Sequence, residues 1–271
     1  MSKFPDIFSL DNKVAVVTGA LGLIGRNHCK ALSEAGAYIV VCDLNENECN
    51  KFARNFKHKS IGIGADITDK DSIIMANDSI LQEFGRLDIL VNNAAINDMF
   101  ENPQAAAKQS MFENYPLDMW QRSIDVNVTG MFLCSQIFGS VMAERGCGSI
   151  INIASTYGIV APDQSLYKKR DGTQTFFKSP AYPVTKGAVI SFTKFLASYW
   201  GGKGVRVNTL TPGGVENNQE EYFINNYSNK TPLGRMAQPT DFKGALIFLA
   251  SDASNYMTGA NLVVDGGWTT W

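Results

Sequence analysis

Tyr182 and Lys186 are the residues of this sequence whose types and spacing best suit proton transfer. Residues four positions apart share one face of a helix, and the surrounding segment has a helical pattern. A tyrosine hydroxyl is a weak acid with an ordinary pKa of about 10, and a nearby ammonium group favours its ionised form. We therefore expect Lys186 to lower the pKa of Tyr182, so that this hydroxyl acts as a general acid or base near neutral pH.

Two more polar residues are placed to assist at such a site. Ser155 follows a predicted strand and could hydrogen-bond the oxygen of a substrate. Asn127 lies within a long predicted helix, although asparagine does not favour a helix interior, and we expect it to hold a water that connects Lys186 with solvent. Together with Tyr182, these residues could relay a proton while a hydride moves between an alcohol or carbonyl and a cofactor.

A glycine-rich turn directly after the first predicted strand has the spacing of a dinucleotide-binding site. Gly19 permits a tight turn, Gly22 lets backbone N–H groups approach a pyrophosphate, and Gly25 allows close packing of helix on strand. Asp43 ends the next predicted strand, where it can accept hydrogen bonds from an adenosine ribose diol. Because its charge would repel a 2′-phosphate, the sequence favours NAD over NADP as the cofactor.

The order of the predicted elements indicates how these residues are brought together. Short, nearly continuous apolar runs alternate with helical patterns, which is typical of an α/β, doubly wound (Rossmann-like) parallel sheet with helices on both faces. The seven predicted strands are Val14–Val17, Tyr38–Cys42, Ile61–Ala65, Leu87–Val91, Ser149–Ala154, Val205–Leu210 and Asn261–Val264. Helices are expected from Gly25 onward and near 45–56, 70–84, 117–144, 181–200 and 240–250. We expect a single domain over 1–271, with active-site insertions near 96–116 and 156–180.

Composition argues against several other classes of protein. The chain has 271 residues, of which 45% are hydrophobic, and its net charge of −2 gives no electrostatic reason to bind nucleic acid or an anionic membrane. Its apolar runs are too short for a transmembrane helix and its N-terminus lacks a signal-peptide pattern, so we expect a cytoplasmic protein. Its five cysteines and two histidines lack metal-ligand spacing, so no metal site is expected.

In their order along the chain, these motifs resemble those of the short-chain dehydrogenase/reductase family over nearly the whole sequence. The matching segments are Leu90–Ala95, Ser155, Tyr182 with Lys186, Thr211–Gly214 and Val264–Gly267. The resemblance implies an NAD(P)-dependent oxidoreductase acting on CH–OH groups, with Asn127, Ser155, Tyr182 and Lys186 as its catalytic set. Together with the glycine turn, it implies cofactor contacts from Gly19, Leu21, Gly22, Leu23, Ile24, Asp43, Asp66, Ile67, Asn92, Ala94, Tyr182, Lys186, Pro212, Gly213, Val215 and Asn217. It also implies a homodimer or homotetramer formed through the helices that follow the fourth and fifth strands.

The chain departs from the usual family pattern in three places. Its Gly-x-x-Gly-x-x-Gly turn is similar to that of a subgroup that includes oxidoreductases of flagellin modification. The stretch between Ser155 and Tyr182 is unusually long, and its inserted part, 165–179, carries four basic residues. As a lid this part would favour an anionic substrate such as a sugar phosphate or nucleotide sugar; the alternative is a surface loop or subunit contact. Asn217 replaces a common threonine, and 216–233 is expected to be a mobile flap.

The sequence thus predicts hydride transfer between NAD(H) and a small polar substrate, with a carbohydrate or an anionic compound as the expected class. Two alternatives stay open. The glycine spacing also suits a sugar dehydratase or epimerase that recycles its NAD. A non-catalytic NAD-binding regulator would keep the glycine turn but has no need of Ser155, Tyr182 and Lys186.

Overall fold

The computed structural model describes residues 6–97 and 107–271, so the central part of the predicted insertion at 96–116 lies outside the described residues. Seven parallel strands form one sheet in the order β3-β2-β1-β4-β5-β6-β7. The strands are β1 (Val14–Thr18), β2 (Tyr38–Asp43), β3 (Ser60–Gly64), β4 (Ile89–Asn92), β5 (Gly148–Ile153), β6 (Val205–Pro212) and β7 (Asn261–Val264). All seven predicted strands are confirmed, with ends that agree to within two residues.

Helices cover both faces of the sheet, and each face has its own hydrophobic core cluster. The helices are α1 (Leu23–Glu34), α2 (Glu46–Ala53), α3 (Lys70–Phe84), α4 (Leu117–Ile124), α5 (Met131–Arg145), α6 (Ala181–Trp200), α7 (Glu221–Lys230) and α8 (Lys243–Ala250). A π-helical segment, Asp125–Gly130, joins α4 to α5. The sequence did not predict α7, which lies within the stretch expected to be a mobile flap.

The direction in which the sheet grows changes between β1 and β4. From β1 the chain moves outward through β2 to β3, and it then returns to add β4 on the other side of β1. Val16 of β1 pairs with Leu90 of β4 across this point. In open α/β sheets, ligands bind in the crevice outside the carboxyl ends of strands at such a switch point. The fold therefore places the glycine turn after β1 beside the segment that follows β4.

Helix α1 buries the face that its sequence predicts. His28, Cys29 and Leu32 are buried, and Gly36 takes a φ of 105° just beyond the helix end. His28 differs from its neighbours because neither ring nitrogen has a hydrogen-bond partner among the described residues. Burial lowers the pKa of His28 to about 3, so this imidazole is neutral at physiological pH.

Within the described part of the chain, one helix, 117–145, is long and apolar enough to cross a membrane by length and composition. This differs from the expectation that every apolar stretch is too short. The helix packs beside β4 and β5, with Cys134, Phe138 and Met142 buried against the sheet. The packing of these side chains on the sheet explains the buried part of its apolar surface.

Candidate active site

One cavity of about 1240 Å³ lies at the carboxyl ends of the strands and brings most of the predicted site residues together. Those that line it are Gly19, Leu21, Gly22, Leu23, Ile24, Asp43, Asp66, Ile67, Ala94, Ser155, Tyr182, Lys186, Pro212, Gly213, Val215 and Asn217. Asn92 and Asn127 are not among the lining residues. The glycine turn and the Tyr182–Lys186 pair therefore belong to one continuous space.

The first and last glycines of the turn leave no room for a side chain. Gly19 has a φ of 61°, and a Cβ at this position would lie 2.7 Å from Cα of Ala94. A Cβ on Gly25 would lie 2.1 Å from the carbonyl oxygen of Gly19. No side chain caps the N-terminus of α1 at Gly22, which itself lines the cavity. Because helix N-termini attract phosphate groups through backbone N–H groups and the helix dipole, this cradle fits a dinucleotide.

Asp43 stands at the end of β2, beside the glycine turn. Its Oδ2 accepts a hydrogen bond from the Leu21 N–H at 2.9 Å, and its Oδ1 accepts one from the Leu44 N–H at 2.8 Å. These two bonds fix the carboxylate where the sequence predicts a ribose contact. Asp66 and Ile67, which follow β3, line the cavity next to it.

The side chains of Asn92 and Asn93, at the end of β4, point in different directions. The Nδ2 of Asn92 donates to Ser135 Oγ at 2.9 Å and to Asn152 Oδ1 at 2.8 Å within the core. Its side chain is therefore not placed for the cofactor contact that the sequence predicted. Asn93 lines the cavity instead, and its Nδ2 donates to the Gly19 carbonyl at 3.0 Å. Strand alternation is the signal that separates these two neighbours.

Ser155, Tyr182 and Lys186 meet in one corner of the cavity. Ser155 follows β5, whereas Tyr182 and Lys186 lie in the first two turns of α6. The Ser155 hydroxyl is close enough to lower the pKa of Tyr182 through a hydrogen bond. The Nζ of Lys186 lies 5.7 Å from the ring centroid of Tyr182 and donates to the Ile153 carbonyl at 2.8 Å.

Burial is the main cause of the shifted pKa values of Tyr182 and Lys186. It raises the pKa of Tyr182, and the hydrogen bond from Ser155 offsets that effect only in part. Burial also lowers the pKa of Lys186, to about 8. The expected lowering of the Tyr182 pKa by Lys186 is not found: burial raises this pKa, and the group that opposes the rise is the Ser155 hydroxyl.

Asn127 lies in the π-helical segment next to this corner. Its Oδ1 accepts from the Ile96 N–H at 2.8 Å, and its Nδ2 donates to the Ile96 carbonyl at 3.0 Å and to Thr185 Oγ1 at 3.1 Å. Turns of π-helix inside α-helices occur frequently at functional sites. These contacts tie the backbone after β4 to α6. A water held by Asn127 stays a prediction.

The inserted segment, 165–179, folds as part of the cavity wall. Lys168 and Gln174 form a short antiparallel bridge. The side-chain amide of Gln164 accepts from the Lys178 N–H at 2.8 Å and donates to the Lys178 carbonyl at 3.1 Å. Lys178 is 8% exposed and lines the cavity, whereas the other three basic residues are exposed at the tip. One cation of the inserted segment therefore faces the site, and not four.

Aromatic residues outside the predicted catalytic and cofactor-binding sets complete the wall. Tyr227 of α7 stacks on Trp268 with ring centroids 4.2 Å apart, and Phe223 lies 5.3 Å from Tyr167 of the inserted segment. The Tyr157 and Tyr167 hydroxyl groups are 3.4 Å apart. All four residues other than Trp268 line the cavity. Phe223 and Tyr227 lie four positions apart, so they share one face of α7. This spacing is the sequence signal that could have identified them.

Comparisons with known proteins bear on the same residues. The family model described as enoyl-(acyl carrier protein) reductase matches residues 19–269. D-threitol dehydrogenase of Mycolicibacterium smegmatis is 36% identical over 97% of this chain and 95% of its own length. 2-Dehydro-3-deoxy-D-gluconate 5-dehydrogenase of Pseudoalteromonas atlantica is 34% identical over 96% of this chain and 97% of its own. A gluconate 5-dehydrogenase from Burkholderia cenocepacia, solved in complex with NADP and tartrate, has a TM-score of 0.85 and 32% identity over 98% of each chain.

These matches span both the glycine turn and the Tyr182–Lys186 pair. The similar proteins are named as dehydrogenases of a polyol and of sugar acids, and this chain is accordingly an alcohol–carbonyl oxidoreductase for polar substrates. The predicted single-domain, Rossmann-like fold is confirmed as well. The chain belongs to the short-chain dehydrogenase/reductase family.

Proposed function

We propose that this enzyme uses NAD(H) to interconvert an alcohol and a carbonyl on a carbohydrate-like substrate. Tyr182 is the general acid–base, and Ser155, Lys186 and Asn127 assist it. The proposal rests on the interacting hydroxyl groups of Tyr182 and Ser155, which line the same cavity as the glycine turn. A nicotinamide cofactor, when bound, supplies the acceptor or donor of the hydride.

Each residue of the set has a separate task in the proton transfer. During reduction, Tyr182 Oη donates its proton to the carbonyl oxygen, which Ser155 hydrogen-bonds, and is left as a phenolate. During oxidation, Tyr182 first loses its proton to solvent, and the phenolate then takes the proton of the substrate hydroxyl. Lys186 stays positively charged near neutral pH because its pKa of about 8 is still above that range. Its charge stabilises the phenolate that forms transiently. Asn127 holds the backbone at Ile96 and so keeps the neighbouring wall in place.

NAD is the proposed cofactor rather than NADP. The similar gluconate 5-dehydrogenase was solved with NADP, so family membership alone does not decide between them. The carboxylate of Asp43 supports NAD because two backbone N–H groups hold it in place. A fixed negative charge at the ribose position repels a 2′-phosphate and accepts hydrogen bonds from a ribose diol.

The proposed substrate is a polyol, a sugar or a sugar acid. Named relatives divide between a neutral polyol, threitol, and gluconate-type acids. The cavity suits either kind, because Tyr157 and Tyr167 offer hydroxyl groups while Phe223 offers an apolar face. A flagellin-linked substrate, a nucleotide sugar or a sugar phosphate stays a prediction from the sequence.

We also propose a cytoplasmic homodimer or homotetramer. Phe195 and Tyr199 of α6 are exposed, and the rings of Phe192, Phe195 and Tyr199 follow one another at 6.3 and 5.9 Å. Phe132 of α5 is exposed beside them. Exposed aromatic patches mark interaction surfaces, and this one lies on the helices that follow β4 and β5. Sedimentation velocity of the purified chain tests the assembly.

The test of the catalytic proposal is Tyr182→Phe, which keeps the ring and removes the hydroxyl. NADH formation is followed by fluorescence with D-threitol and D-gluconate as trial substrates, and nucleotide binding is titrated separately. We expect kcat to fall about 10²- to 10⁴-fold while NADH still binds. Tyr256→Phe, at a fully exposed tyrosine outside the aromatic patch, is the matched control. Retained turnover in Tyr182→Phe would overturn the assignment, and substrate conversion without net NADH would favour the epimerase or dehydratase alternative.

A further inference from the structure

We propose that the hydroxyl groups of Tyr157 and Tyr167 form a subsite that binds a hydroxyl group of the substrate beyond the reacting carbon. This inference rests on the proposed function and adds to it a selection for substrates with several hydroxyl groups over simple alcohols. Tyr157 lies two positions after Ser155, and Tyr167 belongs to the inserted segment that distinguishes this chain from the usual family pattern.

Both tyrosines lie near the reacting corner of the cavity, away from the end that holds Asp43. They line the same cavity as Ser155 and Tyr182. Tyr157 follows β5, whereas Asp43 ends β2, and β1 and β4 lie between these two strands in the sheet. A dinucleotide with its adenosine ribose at Asp43 therefore leaves the end of the cavity beyond Tyr182 to the substrate.

The turn after β5 fixes the position of Tyr157. The Tyr157 N–H donates a hydrogen bond to Ser155 Oγ at 3.3 Å. The next residue, Gly158, packs so closely on α6 that a Cβ there would lie 2.6 Å from the carbonyl oxygen of Lys186. Tyr157 is thus built into the same turn as Ser155, and this turn rests directly on the helix that carries Tyr182.

The inserted segment and α7 hold Tyr167 in place. The Tyr167 carbonyl accepts hydrogen bonds from the N–H and the Oγ1 of Thr175, at 3.1 and 3.0 Å. Its ring lies against those of Phe176 and Phe223, with centroids 5.4 and 5.3 Å away. Because two neighbouring rings already restrict this side chain, it loses little conformational freedom when its hydroxyl binds a ligand.

The pair keeps one O–H group for a ligand. The two hydroxyl oxygens are 3.4 Å apart, and a hydrogen bond between hydroxyl groups is usually about 2.7–2.8 Å, so the bond between them is long. A tyrosine hydroxyl has one proton to donate and can also accept. Whichever of the two donates within the pair, the O–H of the other has no acceptor among the described residues and is available to a ligand. An alcohol group can accept this proton and donate its own to the neighbouring oxygen.

Both hydroxyl groups stay protonated when Tyr182 ionises. Burial raises the pKa of Tyr157, and it raises the pKa of Tyr167 to about 12, while the neighbouring Tyr182 adds to both shifts. The pair is therefore neutral throughout the working pH range and does not compete with Tyr182 for the transferred proton. Its chemistry is that of hydrogen bonding to a neutral polar group.

A polyol or a sugar suits this subsite better than an alcohol with no further hydroxyl groups. The simple alcohol leaves the half-buried O–H of the pair without a partner, and an unsatisfied polar group is costly in a closed complex. Sites that hydrogen-bond a substrate hydroxyl discriminate strongly against analogues that lack it, whereas apolar pockets discriminate weakly. The pair of tyrosines therefore selects on the number and position of hydroxyl groups.

The experiment compares polyols with diols of the same carbon skeleton. The value of kcat/KM is measured for D-threitol with butane-2,3-diol, and for D-glucitol with hexane-2,3-diol; only the first member of each pair has hydroxyl groups beyond a vicinal diol. We expect the wild type to favour the polyols by at least about tenfold. Tyr157→Phe and Tyr167→Phe should each lose about three- to tenfold of that ratio.

Tyr222→Phe is the matched control. The Tyr222 hydroxyl lies 2.8 Å from Thr175 Oγ1 between α7 and the inserted segment, and Tyr222 is outside the set of described residues that line the cavity. This variant should leave the ratio unchanged. A change in Tyr222→Phe as large as that in Tyr167→Phe would show that a loosened wall causes the effect, and would overturn the inference. Equal losses for polyol and diol in the Tyr157 and Tyr167 variants would overturn it as well.

Binding without turnover separates this inference from the proposed function. In the Tyr182→Phe background, the same polyols and diols are titrated into the enzyme with NAD⁺ by calorimetry, and adding Tyr167→Phe should weaken the binding of the polyols alone. Polyols that bind no better than their diols overturn the inference, whatever their turnover. Polyols that bind better through Tyr157 and Tyr167 but are not oxidised by the wild type count against the proposed function alone.

Discussion

Replacing His28 with leucine should stabilise the protein at neutral pH and reduce its loss of stability in mild acid. The imidazole lies on the buried face of α1, and neither ring nitrogen has a hydrogen-bond partner among the described residues. Leucine has a similar volume, has no polar atoms and favours a helix more strongly than histidine. Because an unsatisfied buried polar group costs about 1–3 kcal/mol, a gain of that size is expected at neutral pH.

The pH dependence follows from the lowered pKa of His28. An unfolded histidine titrates at 6.5, whereas folded His28 titrates at about 3, so between these values the unfolded chain binds a proton that the folded chain does not. The folded state is therefore at full stability above pH 6.5 and loses stability as the pH falls towards 3. Each pH unit is worth about 1.4 kcal/mol. At about pH 5, one and a half units below 6.5, the expected loss is about 2 kcal/mol, out of a typical total of about 5–15 kcal/mol.

Urea unfolding without nucleotide, at one protein concentration and at about pH 7.5 and pH 5, measures this difference. His28→Leu should lose about 2 kcal/mol less between the two conditions than the wild type. His58→Gln removes the chain's other histidine and should behave like the wild type. If His28→Leu loses as much stability as the wild type, the buried, neutral state assigned to His28 is incorrect.

Three further predictions concern cofactor choice, the glycine turn and the acid limit. Asp43→Asn keeps a hydrogen-bond acceptor but removes the charge, so the ratio of NADPH to NADH affinity should rise about 10- to 100-fold in fluorescence titrations. Gly25→Ala places a Cβ 2.1 Å from the Gly19 carbonyl oxygen, so NADH affinity should fall by at least about tenfold, and unaltered binding would contradict the close packing seen there. Asp88 is buried, yet its pKa is held below the usual value because bonds from Arg86 and the Val14 N–H outweigh desolvation. Asp88→Asn should cost about 2–4 kcal/mol near neutral pH, a deficit that shrinks below about pH 4 as the wild-type carboxyl is protonated, and chemical unfolding across that range checks it.

The elements that could be predicted from the sequence are those whose own residues show the pattern of a strand or a helix. Strands β1 and β2 are continuous apolar runs because both sheet faces are covered, and this pattern is visible without any structure. Helix α7 has no comparable pattern, since polar residues occur on most of its surface. Its position depends on the packing of Tyr227 against Trp268, a contact distant in sequence.

The residues of the site likewise divide into those that could be predicted from local spacing and those that could not. The glycine turn and the Tyr182–Lys186 pair are local spacings, and the structure brings both to one cavity. The burial of Lys178 could not be predicted, because it depends on two hydrogen bonds with Gln164, which lies 14 positions away. Likewise, the sign of the Tyr182 pKa shift depends on burial, which the four-residue spacing to Lys186 does not reveal.

The Gln164 amide makes to Lys178 the two hydrogen bonds that a neighbouring β-strand would otherwise supply. Because the base of the inserted segment is held in this way, its exposed tip, 168–173, can vary in length and composition without moving the cavity wall. We expect substitutions at the tip to be nearly neutral, whereas single changes at the base should displace the cavity wall. An enzyme organised like this can acquire a new substrate during evolution, or in the laboratory, while the residues that move the proton stay unchanged. The tip is also the natural place to attach a reporter group or an affinity peptide to this protein.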